Sequence, residues 1–298
     1  MNIIYFFRRV ISGLGNRGFF KWLSDDKYLK LIFPAFTGYK LDLDSPRTFN
    51  EKLQWLKLYN RKDIHTCWVD KYAVRSYASK VMGEEKVIPL VGGPWNSFDE
   101  IDFEKLPDEF VLKCNHDSQS VFICRNKKQI NYKKLRSFFN NRLKNNYYYG
   151  GREWPYKNVA PKLIAEKYMV DDSGVELKDY KFFCFNGEPL FFKIDFNRLV
   201  EHHANYYDMN GNLIDLYEKE YPPVKNKKIT IPNSFDKMKS YAKIFSKGEP
   251  FLRVDFYEIN GSPYFGELTL YPSSGFGKIT PSEWDVKLGE LVDIASIK

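Results

Sequence analysis

Three Asn-Gly pairs, Asn186-Gly187, Asn210-Gly211 and Asn260-Gly261, each stand between runs rich in β-branched and aromatic residues. Asn and Gly tolerate the positive φ that both central positions of a tight hairpin turn need, so Asn-Gly between apolar runs is the strongest short hairpin signal. After Lys162 the chain is therefore expected to be mostly antiparallel strands, the first over residues 163–169. One helix interrupts them. Ser234 is placed to cap it, Met238, Tyr241, Ala242 and Phe245 share its buried face, and Gly248 ends it. Regular βαβ alternation is absent, which argues against a doubly wound sheet and for the α+β class.

The first third reads as helical. Thr48-Phe-Asn-Glu51 is a capping box, followed by Phe49, Leu53 and Leu56 at helical spacing. Asp70 is placed as a second N-cap, with Val69 and Val74 as its hydrophobic staple. Val74, Tyr77, Ala78 and Val81 form one stripe that Gly83 stops. The pattern then changes. Residues 87–90 form a short strand candidate ended by Gly92-Gly93-Pro94. Residues 110–114 and 120–124 read as two strands joined by the polar loop 115–119. Asn131 is placed to cap a helix whose face holds Leu135, Phe138, Phe139 and Leu143.

Composition bounds the function. Of 298 residues 43% are hydrophobic, enough for a large packed core and against disorder of the whole. The four cysteines, Cys67, Cys114, Cys124 and Cys184, include no C-x-x-C pair, which excludes a zinc ribbon and leaves a reducing, cytoplasmic setting as the expectation. No apolar run approaches the ~18 residues of a membrane-spanning helix. The apolar stretch at residues 1–7 precedes Arg8-Arg9, the reverse of a signal peptide. It is read as a helix packing on the domain, with an amphipathic helix resting on the inner face of the membrane as the alternative. The net charge of +8 comes largely from scattered Lys. It suits an enzyme of anionic substrates, and no nucleic-acid partner is expected.

The last hairpin carries the most chemistry. Leu252, Val254 and Phe256 make one apolar face, and Gly266, Leu268 and Leu270 another. For both to cover one core, residue 254 must lie opposite, or two steps from, residue 268. A strict two-residue turn forbids that, so an odd loop, such as three residues around Asn260-Gly261, is expected. Arg253, Asp255, Glu267 and Thr269 then share the other face. Two carboxylates there call for a cation or a proton between them, and Mg²⁺ takes carboxylate oxygens while sharing its shell with phosphates. A plain Arg–Asp pair on a solvated face is the competing reading.

Lys113 comes late in an apolar strand, placed either at a sheet edge or toward an anion. The loop behind it offers backbone N–H groups and the hydroxyls of Ser118 and Ser120 to phosphate, without the glycines of a Walker A loop. Asp179 and Lys181 share one strand face opposite Phe182 and Cys184, as a ribose and phosphate pair or as a cross-strand salt bridge. His65, His116, His202 and His203 show no metal-ligand spacing. No G-x-S-x-G motif nominates a nucleophile.

In order, Asp70-Lys71, the Lys113 strand and loop, Leu163-Ile-Ala-Glu-Lys-Tyr-Met169, Asp179-Tyr-Lys181, Arg253-Val-Asp255 and Glu267-Leu-Thr269 followed by Pro272 and Gly275 resemble the ATP-grasp superfamily, most closely its TupA-like branch, named for teichuronopeptide biosynthesis. Thr48-Phe-Asn-Glu-Lys-Leu-Gln-Trp-Leu-Lys57 and Arg152-Glu-Trp-Pro-Tyr156 also resemble it, and the likeness covers about residues 40–295. The loop 115–120 departs from the branch in having no Gly.

The resemblance implies two α+β lobes with antiparallel sheets clasping ATP. A helical region over 1–68 would precede an ATP-grasp-like region over 69–298, with a phosphate-loop lobe at about 106–165 and a metal-binding lobe at about 166–298. Lys71 and Lys113 would contact phosphates. The backbone of Glu166, Lys167 and Tyr168 would meet adenine, and Asp179 would hold the ribose. Asp255 and Glu267, with Thr269, would bind Mg²⁺, and Arg253 would face the γ-phosphate. Lys181, His116, Arg152, Arg198 and His202 are further candidates for phosphate or substrate contact. The implied reaction is carboxylate–amine ligation through an acyl phosphate, on a sugar-acid or amino-acid group in bacterial envelope polysaccharide assembly. A glycosyltransferase or phosphotransferase on the same fold, and a non-catalytic binding protein of an assembly complex, are the rival expectations.

Overall fold

The computed structural model describes residues 10–11, 13–15, 18–171, 177–196, 201–225, 227 and 229–297. The apolar stretch at 1–7 and Arg8-Arg9 lie outside them. No described helix is long and apolar enough to cross a membrane. The helical first third comprises α1 (Asp25–Thr37), α2 (Phe49–Tyr59), α3 (Asp63–Val69) and α4 (Val74–Met82). The capping box forms: the Glu51 N–H donates to the Thr48 hydroxyl at 3.1 Å, and the Thr48 N–H donates to Glu51 Oε2 at 3.0 Å. Asp70 Oδ1 accepts from the N–H groups of Tyr72 and Ala73, so it caps the turn leading into α4, while the helix itself starts at Val74.

The first sheet holds β1 (Leu90–Trp95), β2 (Phe110–Cys114), β3 (Val121–Cys124) and β4 (Leu163–Lys167), in the order β1-β4-β2-β3, every pair antiparallel. Helix α5 (Tyr132–Leu143), capped by Asn131, packs Leu135 and Phe139 onto Phe110, Leu112 and Leu163. β1 does not stop at Gly92, as expected, but starts at Leu90 and runs through the glycine pair. The glycines let a bulged strand lie close to β4: the register shifts on both sides of Gly92, and a Cβ at Gly93 would stand 2.9 Å from the Leu163 carbonyl oxygen.

The second sheet holds β5 (Lys178–Phe185), β6 (Glu188–Phe196), β7 (His203–Asp208), β8 (Leu213–Ile214), β10 (Phe251–Ile259) and β11 (Ser262–Thr269), in the order β11-β10-β5-β6-β7-β8. The short β9 (Tyr217–Glu218) pairs instead with β12 (Ile279–Thr280). All three Asn-Gly hairpins form. Asn186-Gly187 and Asn260-Gly261 are two-residue turns with φ of 51° and 85°, and of 50° and 81°. Asn210-Gly211 sits in a wider loop between Tyr207 and Leu213. Helix α6 (Phe235–Ser246) covers one sheet face, where Phe182, Phe192, Met238, Ala242, Val254 and Phe256 are fully buried. Each large apolar side chain there contributes roughly 1.5–3 kcal/mol. Ser234 does not cap α6 through its hydroxyl, because its backbone is helical (φ −81°, ψ −3°) rather than in the extended cap conformation. Helix α7 (Glu283–Leu291) packs against α2.

The last hairpin corrects the expected odd loop. Its turn is strictly two residues, with Ile259 opposite Ser262, and Phe256 faces Phe265. The odd residue enters afterwards, as a bulge between Asp255 and Phe256 that absorbs Gly266 and restores Val254 opposite Leu268 and Asp255 opposite Glu267. Asn260-Gly261 suits the two-residue turn too well to open. Gly266 is where the ladder can give, since a Cβ there would stand 2.8 Å from the Asp255 carbonyl oxygen. The face-sharing of Arg253, Asp255, Glu267 and Thr269 follows as expected.

Candidate functional site

Two rows of polar side chains cross the face of the second sheet away from α6. Arg253 lies opposite Thr269, and Asp255 opposite Glu267. The Arg253 guanidinium grips Asp255 with two hydrogen bonds of 2.7 Å and reaches Glu267 Oε1 at 2.7 Å. The Thr269 hydroxyl donates to Glu267 Oε1 at 3.2 Å. The Arg–Asp pair of the competing reading is thus present, but buried: Asp255 is 2% exposed. Burial pushes the Asp255 carboxyl up to about 6, against Arg253 and Lys181. Glu267 is half-exposed, so the partial burial that raises it is outweighed, and Arg253, Lys71 and Lys181 together bring it down to about 2.

Next along the row is Lys181, opposite Asp255 on β5. Its ammonium meets Asp179, Asp195 at 3.2 Å and Asp255 at 3.5 Å. Against burial, which lowers it, these three carboxylates raise Lys181 and keep it charged. Lys193, opposite Lys181 on β6, pairs with Asp195 at 3.7 Å and with Glu218 at 2.7 Å. His202 Nε2 lies 2.9 Å from Asp195 Oδ1. A continuous ion-pair row therefore runs from Glu267 through Arg253, Asp255, Lys181, Asp195 and Lys193 to Glu218. Lys193, Asp195 and Glu218 were missed in the sequence. The available signal was Lys193-Ile-Asp195, the same charged–apolar–charged alternation as Asp179-Tyr-Lys181.

Between the two sheets is a cleft of about 520 Å³. β11 supplies Gly266, Glu267 and Leu268, and the first sheet supplies Val111, Lys113 and Glu166. Val121 and Ile123 of β3 open into it at 46% and 45% exposed and give it an apolar wall. Lys71, Lys167 and Tyr168 also line it. β2 is flanked on both sides, so Lys113 is not at a sheet edge. Its ammonium meets Glu166 Oε2 at 2.6 Å, and Arg75 meets Glu166 Oε1 at 3.0 Å. The Glu166 side chain is thus a hub for two cations, and Arg75 is a cleft residue the sequence did not nominate. No signal in its own segment pointed to it, because its place depends on how α4 packs beside the cleft. Lys71 donates to the backbone carbonyl of Asp117, and burial lowers its pKa.

Several candidates are placed elsewhere. The Ser120 hydroxyl donates to Asp117 Oδ2, so it is not free for phosphate, and Ser118 is exposed on the loop. His116 is buried, with Nε2 at 3.3 Å and 3.2 Å from the carbonyls of Arg142 and Asn145, beneath the end of α5. Arg152 also faces away from the cleft's lining. It is 1% exposed, donates to the carbonyls of Phe20 and Leu23, and stacks over Tyr28 at 4.3 Å, tying down the N-terminal segment. Arg198 lies outside the described residues.

Two carboxylates with hard oxygen donors on one face, beside Lys71, Lys113 and Lys181, form a donor set that fits a divalent cation shared with phosphate. Among the described residues no group of three or more His, Cys, Asp or Glu could hold a metal alone. A model of the TupA-like ATP-grasp family matches residues 51–293. The chain belongs to the TupA-like ATP-grasp family. It has the ATP-grasp fold, with mixed helices and antiparallel sheets, as expected. Similar solved structures include D-alanine–D-alanine ligase from Bacillus anthracis complexed with ATP, at 16% identity over 68% of this chain and 54% of that one, with a TM-score of 0.38. They also include the ligase of the same name from Helicobacter pylori, at 14% identity, 82% and 69% coverage and a TM-score of 0.43. A third is N5-carboxyaminoimidazole ribonucleotide synthetase from Thermus thermophilus, at 11% identity, 74% and 51% coverage and a TM-score of 0.40. The chain thus spans about half the length of the first of these. No curated protein matches it.

Proposed function

We propose that this TupA-like ATP-grasp protein is an ATP- and Mg²⁺-dependent carboxylate–amine ligase. One observation carries the reading: Asp255 and Glu267 are brought opposite each other on the sheet face that borders a cleft lined by Lys71, Lys113 and an apolar wall. ATP would lie in that cleft, its adenine between the β3 wall and the backbone of residues 166–168. Asp179 would hold the ribose. Lys71 and Lys113 would receive the phosphates, and Asp255 and Glu267, with Thr269, would hold Mg²⁺. When bound, Mg²⁺ neutralises phosphate charge and orients the γ-phosphoryl group.

The chain's own residues supply the rest. Arg253 and Lys181 are fixed by carboxylates and remain cationic, so they stabilise charge where it develops on the transferred phosphoryl group. The γ-phosphoryl passes to a carboxylate oxygen, ADP leaves, and an amine displaces phosphate from the acyl carbon to form an amide. No protein nucleophile is needed, in keeping with a sequence that nominates none. The substrate is proposed to be a sugar-acid or amino-acid group in bacterial capsular or cell-wall polysaccharide assembly, handled in the cytoplasm. The test is ADP release from Mg·ATP with uronic acids and amino acids as acids and amines. Asp255→Asn combined with Glu267→Gln is expected to lower release at least a hundredfold. If the protein binds no Mg·ATP and this pair of changes alters nothing, the reading fails.

A further inference from the structure

A second cavity, of about 620 Å³, shares a wall with the nucleotide cleft. Tyr147 lines this cavity and Tyr156 lines the cleft, and their rings pack at 4.8 Å. Lys71 of the cleft donates to the carbonyl of Asp117, which lines the cavity. The ion-pair row that begins at Glu267 ends in this cavity at Glu218. The two spaces therefore meet where phosphate would be transferred.

The cavity's polar groups are of two kinds. At the shared wall, Asp117 is 5% exposed, with Oδ2 taken by Ser120 and Oδ1 buried without a hydrogen-bond partner among the described residues. A buried carboxylate oxygen lacking a donor is costly, and a ligand N–H would complete it. Arg142 and Lys144 supply the opposite charge, Lys144 on an exposed side chain. A third wall is made by Ser273 and Ser274, both at positive φ (49° and 52°). The turn is held by Lys57, which donates to the Ser274 carbonyl at 2.7 Å, and by Ser273 donating to Glu218 at 3.0 Å. Backbone held in so sparsely populated a conformation clusters at ligand sites.

We infer that this cavity receives the amine substrate, a primary amine that also carries an anionic group, with its nitrogen at Asp117 and its anion at Arg142 and Lys144. The inference rests on the ligase reading above. The neutral amine attacks the acyl carbon and the C–N bond forms as the bond from that carbon to the phosphate oxygen breaks. Phosphate leaves with the electron pair, and the proton lost from nitrogen passes to the Asp117 carboxylate.

Calorimetric titration of the full chain, with and without Mg·AMP-PNP, tests this without turnover. The probes are L-glutamate and glucosamine 6-phosphate, their N-acetyl forms, and glucuronate as an acid without an amine. At least one free amine is expected to bind, with its N-acetyl form and glucuronate at least tenfold weaker. Asp117→Asn is expected to weaken the amine at least tenfold, and Lys144→Ala about fivefold, each with AMP-PNP affinity kept within threefold. The inference is overturned if neither amine binds, if an N-acetyl form or glucuronate binds as well, or if Asp117→Asn leaves amine affinity unchanged. Should Asp117→Asn not fold, Lys144→Ala decides, and unchanged amine affinity there overturns it. Failure of the ligase reading looks different: no AMP-PNP uptake, or no ADP release with any acid.

Discussion

Replacing Arg253 by Met withdraws the guanidinium from between Asp255 and Glu267. Arg253 and Asp255 side chains are 13% and 3% exposed. Removing one partner of a buried pair costs about 3–5 kcal/mol. Lys181 remains 3.5 Å from Asp255, which points to the lower half of that range. The contact with Glu267, whose side chain is 47% exposed, adds under ~1 kcal/mol. At about 2.1 cal/mol/K per residue, a chain of 298 residues unfolds with an entropy of roughly 0.6 kcal/mol/K. The expected loss is then about 5–7 °C in Tm by differential scanning calorimetry. The informative arm adds Mg²⁺ alone. In the native chain the guanidinium already fills the gap between the carboxylates and competes with a cation. In Arg253→Met the gap is open, and Mg²⁺ at a hundred times its Kd restores about 2.7 kcal/mol, or roughly 4 °C. The native protein should shift less than the variant. A variant that melts within 1 °C of the native chain, or gains no more from Mg²⁺ than it does, refutes the idea that these carboxylates form a cation site held shut by Arg253.

Three further outcomes are expected. Glu267 has a folded pKa near 2, below its ordinary 4.5, so its contribution to stability is complete above 4.5 and is lost as pH falls toward 2; the Tm difference between the native chain and Glu267→Gln should shrink over that window. Glu166→Gln leaves Lys113 and Arg75 facing each other without their shared carboxylate, and should lower Tm by several degrees in low salt, as read by thermal melts at graded ionic strength. Thr48→Ala removes the hydroxyl of the capping box and should cost about 1 kcal/mol, or 1–2 °C, with nucleotide affinity unchanged.

What could be read from the sequence was local. The Thr48–Glu51 box, the Asn131 cap and the three Asn-Gly hairpins each depend on a few neighbouring residues, and all formed. The shared face of Arg253, Asp255, Glu267 and Thr269 was legible because strand alternation and a buried apolar face together fix parity. What parity alone does not fix is where an odd residue goes, and that choice lies between the turn and any point on the ladder. The pairing of Lys193 with Glu218 and of Glu166 with Arg75 was illegible for a different reason. Each depends on strand order or on helix placement across the cleft, and nothing within either residue's own segment encodes it. The contacts of His116 and Arg152 were illegible in the same way. One lies against carbonyls at the end of α5 and the other anchors a distant N-terminal segment, and both partners are remote in the chain.

The bulge at Gly266 raises a question that deletion of the residue can answer. Without Gly266 the hairpin becomes regular. Phe256 still faces Phe265, Asp255 still faces Glu267, and the apolar faces still agree. Parity is thus satisfied without the bulge, so parity alone does not account for the extra residue. A bulge sharpens local twist and re-aims the side chains beside it, and this one lies directly between the core pair and the carboxylate pair. Deletion should therefore leave a folded protein, with Tm within a few degrees of the native value, but weaken Mg·AMP-PNP binding at least tenfold. Gly266→Ala should do the reverse in part. It keeps the extra residue but sets a Cβ 2.8 Å from the Asp255 carbonyl oxygen, which cannot swing aside, at a cost of about 1–3 kcal/mol or 2–5 °C. If the deletion binds Mg·AMP-PNP as tightly as the native chain, the bulge merely accommodates a residue, and the aim of Glu267 is set by Arg253 and Thr269 alone.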